Sequence, residues 1–191
     1  YIIFTDCDDF FSLDRIDLSI QNLQKNSIVV NDLDIVSANG ELEESLYFSN
    51  RIDDQSIIKK EDILNANIMG LSNTASRADV LRKCLSFLDL DLIAFDWILW
   101  TYALNFGFTA KFISQTTSKY RVHPSNIAGL PQKINKTQVE RGLSIKVAHY
   151  KKLANLGMEY ETLYNDFSVV EKKCQNKIWF DKYILSLKSK Q

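Results

Sequence analysis

Apolar residues open the chain as an unbroken run, Ile2-Ile3-Phe4 behind Tyr1, that stops at three carboxylates, Asp6, Asp8 and Asp9. Such a run suits a parallel strand covered on both faces, and open α/β sheets bind ligands beyond the carboxyl ends of such strands. Leu13, Ile16, Ile20 and Leu23 then recur at helical spacing behind Ser12, which predicts a helix directly after the acids. Ser27–Asn31 and Leu33–Ser37 read as two strands, and Asn39-Gly40 as a tight turn. Residues 41–60 are polar without a period and predict a loop, with a short strand around Leu46–Phe48.

Small residues resume in Ser72-Asn73-Thr74-Ala75-Ser76-Arg77, a stretch that lets backbone approach a ligand closely, before a helix predicted from about Ala78 to Phe87. The heaviest apolar load lies between Leu92 and Phe106, where Ile93, Trp97, Trp100, Tyr102 and Leu104 surround one acid, Asp96. A helix starting at Asp96 and ended by Gly107 is expected there, followed by extended pieces at Phe108–Ser114 and Ser118–Pro124. From Lys136 the period is helical: Val139, Leu143, Val147 and Tyr150 form one stripe, and Tyr160, Leu163, Tyr164, Phe167, Val170, Cys174 and Ile178 another. These predict a pair of amphipathic helices.

Charge divides the chain at the same place. Residues 1–130 carry 11 Lys+Arg against 18 Asp+Glu, whereas residues 131–191 carry 12 against 6, so a balance of −7 is followed by one of +6. The expected organisation is a main domain over 1–130 and a helical C-terminal extension over 131–191. The basic tail is a candidate for peripheral contact with an anionic membrane surface, set against the plainer reading of a solvated helical face. Three cysteines, Cys7, Cys84 and Cys174, include no CxxC pair, which fits a reducing, cytoplasmic setting. No apolar stretch reaches the roughly 18 residues of a spanning helix. Nucleic-acid binding finds no support, because the aromatics of the first part are not interleaved with a basic stripe.

Three acids within four positions repel one another, and oxygen-only ligands favour a hard divalent cation, Mg2+ or Mn2+. Asp96, at a helix start among aromatics, is placed to act as a base; its plain alternative is an N-cap. A haloacid-dehalogenase-type phosphohydrolase also begins with a strand and Asp-x-Asp, but Asp9-Phe10 stands where Gly-Thr is usual. An EF-hand loop lacks its middle glycine and closing glutamate. A non-catalytic module is the third alternative.

The order Asp6-Cys7-Asp8-Asp9, small-residue loop, Phe95-Asp96-Trp97 and Tyr120-Arg121-Val122-His123 resembles the inverting family 2 glycosyltransferases of the GT-A fold. The likeness is greatest to the rhamnosyltransferase-like branch that builds bacterial surface polysaccharides, and Ser125-Asn126-Ile127-Ala128-Gly129 continues it. The resemblance implies an α/β GT-A (nucleotide-diphospho-sugar transferase) Rossmann-like sheet, here its C-terminal part with a helical tail. It implies a nucleotide-sugar donor, a saccharide or lipid-linked acceptor, and a place in the cytoplasm at the inner face of the membrane. It assigns Asp8 and His123 to the metal, Asp6, Asp9 and Arg121 to the donor nucleotide and its diphosphate, and Asp96 to the catalytic base. Asn73, Ser76, Arg77 and Trp97 fall where sugar contacts are expected. Phe95 departs from the family, which has an acid or histidine there. The family's N-terminal nucleotide-gripping portion has no counterpart before Tyr1, so the chain by itself is expected to bind donor weakly.

Overall fold

The structure, a computed structural model, describes residues 1–88, 93–123, 126 and 135–188. Its elements are β1 (Ile2–Ile3), β2 (Phe10–Phe11), α1 (Arg15–Leu23), β3 (Ile28–Val36), β4 (Leu42–Glu44), β5 (Ile57–Ile58), β6 (Thr74–Ser76), α2 (Ala78–Cys84), α3 (Phe95–Asn105), β7 (Ala110–Arg121), α4 (Lys136–Leu153), α5 (Met158–Cys174) and α6 (Lys177–Lys188). They fall into two compact units, one holding Tyr1–Leu90 with Phe95–Asn126, the other Asp91–Ala94 with Ile127–Gln191. The boundary expected between residues 130 and 131 lies outside the described residues.

In the first unit β3 and β7 run parallel as a spine. Four short strands flank it antiparallel: β6 and β4 against the two halves of β3, β5 and β2 against the two halves of β7. β1 pairs antiparallel with β6 at the end of the strand order. This corrects the buried parallel strand expected at the start of the chain. A four-residue apolar run records burial but not strand direction, and Ile2, Ile3 and Phe4 are only half-buried.

The two strands expected at 27–37 are one. Asn31 and Asp32 interrupt the apolar pattern, yet both are buried, because each finds partners. Asn31 Oδ1 accepts from Arg15 Nε at 2.8 Å and its Nδ2 donates to Ser118 Oγ at 3.0 Å. Asp32 accepts from the backbone N–H groups of Leu33, Phe48 and Ser49 and from the Ser49 hydroxyl. β7 likewise merges two expected pieces. Its pairing with β3 jumps from Asn31↔Ile113 to Asp32↔Thr117, so Ser114–Thr116 bulge out. Asp54 fastens that bulge, taking the Ser114 N–H at 2.8 Å and the Gln115 amide at 2.7 Å.

Gly40 makes the expected turn at φ +84, joining β3 to β4. Leu46–Phe48 is a turn rather than a strand. Of the predicted stripe α1 fully buries only Leu23, together with Arg15 and Ser19; Leu13 is fully exposed and Ile16 partly so. Leu18 and Leu23 of α1 pack with Ile3, Val29, Ala75 and Ile113. α2 and the single turn Leu85–Phe87 cover the predicted helix. α3 is buried at every position from Trp97 to Ala103, the mark of a helix enclosed on all sides.

Among its described residues the second unit has three α-helices where two were expected. α4 buries Leu143, His149, Tyr150 and Leu153, with Tyr150 stacked on Phe167 of α5. Asn176 ends the predicted second stripe by capping α6 through the Trp179 N–H, and Ile178 is exposed as a result. Among the described residues, no helix is long and apolar enough to cross a membrane.

Candidate active site

Residues 4–9 lead from β1, on the β6 flank of the spine, to β2, on the β7 flank. They turn tightly between Asp6 and Asp9, where the Asp9 N–H meets the Asp6 carbonyl at 3.3 Å. β2 then pairs Phe10 with Lys119 and Phe11 with Ser118, so the acidic turn lies beside the carboxyl end of β7. That is where Arg121 and His123 emerge. Sequence order alone separates these groups by more than a hundred residues.

Arg121 braces the turn. Its backbone N–H donates to Asp9 Oδ1 at 2.8 Å, its Nε to the Asp8 carbonyl at 2.9 Å and its Nη1 to the Ala38 carbonyl at 2.7 Å. The guanidinium expected to grip phosphate is thus committed in large part to holding backbone. Asp8 Oδ2 pairs with His123 Nε2 at 2.7 Å, and that hydrogen bond, foremost, holds the Asp8 carboxyl below its ordinary value. Asp9 behaves oppositely: burial raises it, while the Arg121 N–H and the Ser72 hydroxyl oppose the rise. Its Oδ2 is buried without a hydrogen-bond partner. Asp6 is exposed and accepts from Ser72 Oγ at 2.8 Å.

On the other side stands Asp96, in the first turn of α3. Its Oδ1 accepts the Trp97 N–H at 2.8 Å and its Oδ2 accepts Asn67 Nδ2 at 2.9 Å. Burial pushes its carboxyl up to about 6 against these two donors, and the charge of Asp6 adds to the rise. Tyr120 joins the two sides. Burial lifts its phenol to about 12, and the charges of Asp9, Asp6, Asp8 and Asp96 all push the same way, so it stays a neutral donor among four acids. Asn126, whose Oδ1 accepts the His123 N–H, also reaches the Tyr120 hydroxyl at 3.4 Å. The remaining residues of the expected Ser125–Gly129 continuation lie outside the described residues.

Of the four residues expected at the sugars, three are buried and one is exposed. Asn73 is buried, donating Nδ2 to the carbonyls of Asn31 and Ile68, and so ties the loop before β6 to the spine. Ser76 is buried within β6. Trp97 is buried, with Nε1 donating to the Ile63 carbonyl at 2.7 Å. Arg77 is exposed and forks onto its neighbour Asp79. The pattern of types and spacing suggested ligand contacts; the register turned three of these side chains inward. Conversely, Asn67 is in the site without having been singled out, and Ser72 and Asn126 are there without having been given a role. Their one signal is that polar residues crowd the turns just before the β6 strand and after β7.

A divalent cation fits this donor set in part. Asp8 and His123 present an oxygen and a nitrogen at one point, and the unpartnered Asp9 Oδ2 lies in the same turn. Among the described residues no three His, Cys, Asp or Glu side chains form a metal-holding group. An ion here would need oxygens from water or a ligand to complete its shell, as Mg2+ commonly does.

No family model matches the chain, and no curated protein does. Among solved structures it is similar to S. aureus TarS residues 1–349, a glycosyltransferase crystallised in complex with UDP-GlcNAc, with a TM-score of 0.57 at 11% identity. The fold is GT-A-like. That similarity covers 86% of this chain and 46% of the TarS chain, so the protein spans about half the length of its structural neighbour.

Proposed function

We propose that this chain carries the catalytic part of a sugar transferase of bacterial polysaccharide synthesis. It moves a sugar with inversion from a nucleotide diphosphate to a hydroxyl of a saccharide or lipid-linked saccharide. The observation that carries the reading is the gathering of Asp8 with His123 on one side and Asp96 on the other, around the neutral phenol of Tyr120. A GT-A-like fold and a neighbour crystallised with UDP-GlcNAc support it.

Asp8 and His123 would hold Mg2+ or Mn2+, which when bound neutralises the charge that builds on the departing diphosphate. Asp9, pinned by the Arg121 N–H, keeps the turn in register, and Asp6 with Ser72 faces the nucleotide's ribose. Asp96 takes the proton of the acceptor hydroxyl while that oxygen bonds to the anomeric carbon and the bond to the diphosphate oxygen breaks. A carboxylate that titrates near 6 is a competent base at neutral pH and stronger than an ordinary aspartate. The phosphohydrolase alternative would make Asp6 a nucleophile; its β1 strand pairs only antiparallel here and its carboxylate is engaged by Ser72.

The second unit's α6 exposes Ile178 and Leu185 with Lys182 between them, which supports peripheral contact with anionic lipid at the inner face of the membrane. The deciding experiment titrates UDP-GlcNAc and other nucleotide sugars into the full chain with and without Mn2+, comparing wild type with Asp8→Asn. Cation-dependent binding that the substitution removes is expected. Binding indifferent to both the cation and Asp8 would overturn the donor-site reading.

A further inference from the structure

We infer that Asn67 and Gly70 form the seat of Asp96: Asn67 is a positioning residue that aims the carboxylate, and Gly70 keeps clear the space through which an acceptor hydroxyl reaches it. The inference rests on the reading of Asp96 as the base. Asn67 cannot turn its amide around without loss. Its Oδ1 accepts the Met69 backbone N–H at 3.0 Å, which fixes the oxygen on that side and leaves Nδ2 to donate to Asp96 Oδ2 at 2.9 Å. The Trp97 N–H holds the other oxygen at 2.8 Å. One donor on each oxygen fixes the plane of the carboxylate and leaves lone pairs on both for a substrate proton.

Gly70 stands closest to Asn73 and within ordinary contact of the same Asp96 oxygen. A Cβ there would meet Asn73 Oδ1 at 3.3 Å and Asp96 Oδ2 at 3.9 Å. The backbone at Gly70, φ −70 and ψ 163, is open to any residue. Glycine is therefore not demanded by conformation, and what its hydrogen preserves is room. Asn73, whose amide is spent on the Asn31 and Ile68 carbonyls, anchors the same loop to the spine, so Asn67 and Gly70 are presented from a fixed base. The ionisable group acting on Asp96 is Asp6, from the acidic turn, which raises the carboxyl; Asn67 is the side chain that lowers it, and Asp96 in turn raises the Tyr120 phenol on β7.

The test follows the carboxyl carbons of aspartate-labelled full chain by NMR across pH, with Asp96→Asn identifying the Asp96 signal. Asn67→Ala is expected to move the Asp96 midpoint upward by about one unit, the size of a lost hydrogen bond to a charged group. Asn67→Gln, which retains the amide, should recover part of the shift, and it serves in place of the alanine variant should that fail to fold. In transfer assays the acid limb of the kcat/KM profile should move up with the titration. Gly70→Ala should leave the midpoint near wild type and raise the acceptor KM several-fold. An Asp96 midpoint unmoved by either Asn67 substitution overturns the positioning role, and an unchanged acceptor KM overturns the role of Gly70. Should Asn67→Ala shift the midpoint while Asp96→Asn still transfers sugar, the seat stands and Asp96 as base does not.

Discussion

Asp8 and Asp96 are the same side chain in opposite surroundings. Asp8 is over a third exposed, lies within a turn of three acids, and is paired with His123, which favours its charged form. Asp96 is enclosed by the start of α3 and the Asn67–Gly70 loop, and burial disfavours its charge despite two donors. Environments that push two carboxylates apart in this way divide the labour of a site. One stays an anion suited to a cation; the other holds its proton loosely enough to exchange it near neutrality.

Activity gives the widest separation between the two. Asp96→Asn should lower kcat for sugar transfer by at least about 10²-fold with little change in donor affinity, since it removes only proton transfer. Asp8→Asn should lower transfer on the order of 10²-fold and also weaken cation-dependent donor binding. Steady-state kinetics paired with calorimetric donor titration reads both. Equal losses of donor affinity in the two variants would erase the division.

Stability against pH separates them by sign. The Asp96 carboxyl titrates near 6 in the folded chain against 3.8 for an ordinary aspartate. Its ionisation therefore costs nothing below pH 4 and reaches its full cost above pH 6. Asp96→Asn should raise stability at pH 8 by up to about 3 kcal/mol, with the gain fading as pH falls to 4. Asp8 has a lowered carboxyl, so its contribution is present above the unfolded value and lost on acidification. Asp8→Asn should be slightly destabilising at pH 7 and neutral at low pH. Urea unfolding of both variants at pH 4, 6 and 8 checks the crossing.

The acid turn, the α3 start and the β7 end were legible in the sequence because each joins an abrupt change of polarity to a change of period. What brings them together was not. β1 runs antiparallel, which apolar runs do not encode. β3 was split in two at Asp32, which looks like a loop until the N–H groups of Leu33, Phe48 and Ser49 are seen to satisfy it, and β7 was split at Gln115–Thr117, where the strand bulges. Asn67 was invisible for a related reason: its role depends on one contact with a residue 29 positions away.

Trp97 and Arg77 carry the smaller effects, and they contrast as the two acids do. Trp97→Phe removes the bond from Nε1 to the buried Ile63 carbonyl and should cost about 1–2 kcal/mol of stability by denaturant unfolding, leaving the acceptor KM near wild type. Arg77 should matter least. Its guanidinium and the Asp79 carboxylate are each 47% exposed, and an ion pair in that setting contributes little. Arg77→Ala also leaves Asp79 in the first turn of α2, where a negative charge is favoured by the free N–H groups, so part of the loss is recovered. The expected change is below about 0.5 kcal/mol in stability, and within about twofold in donor affinity. A tenfold fall in donor affinity on Arg77→Ala would instead place this exposed arginine at the sugar or its phosphates, and it would make the Asp79 pair a resting contact exchanged on binding.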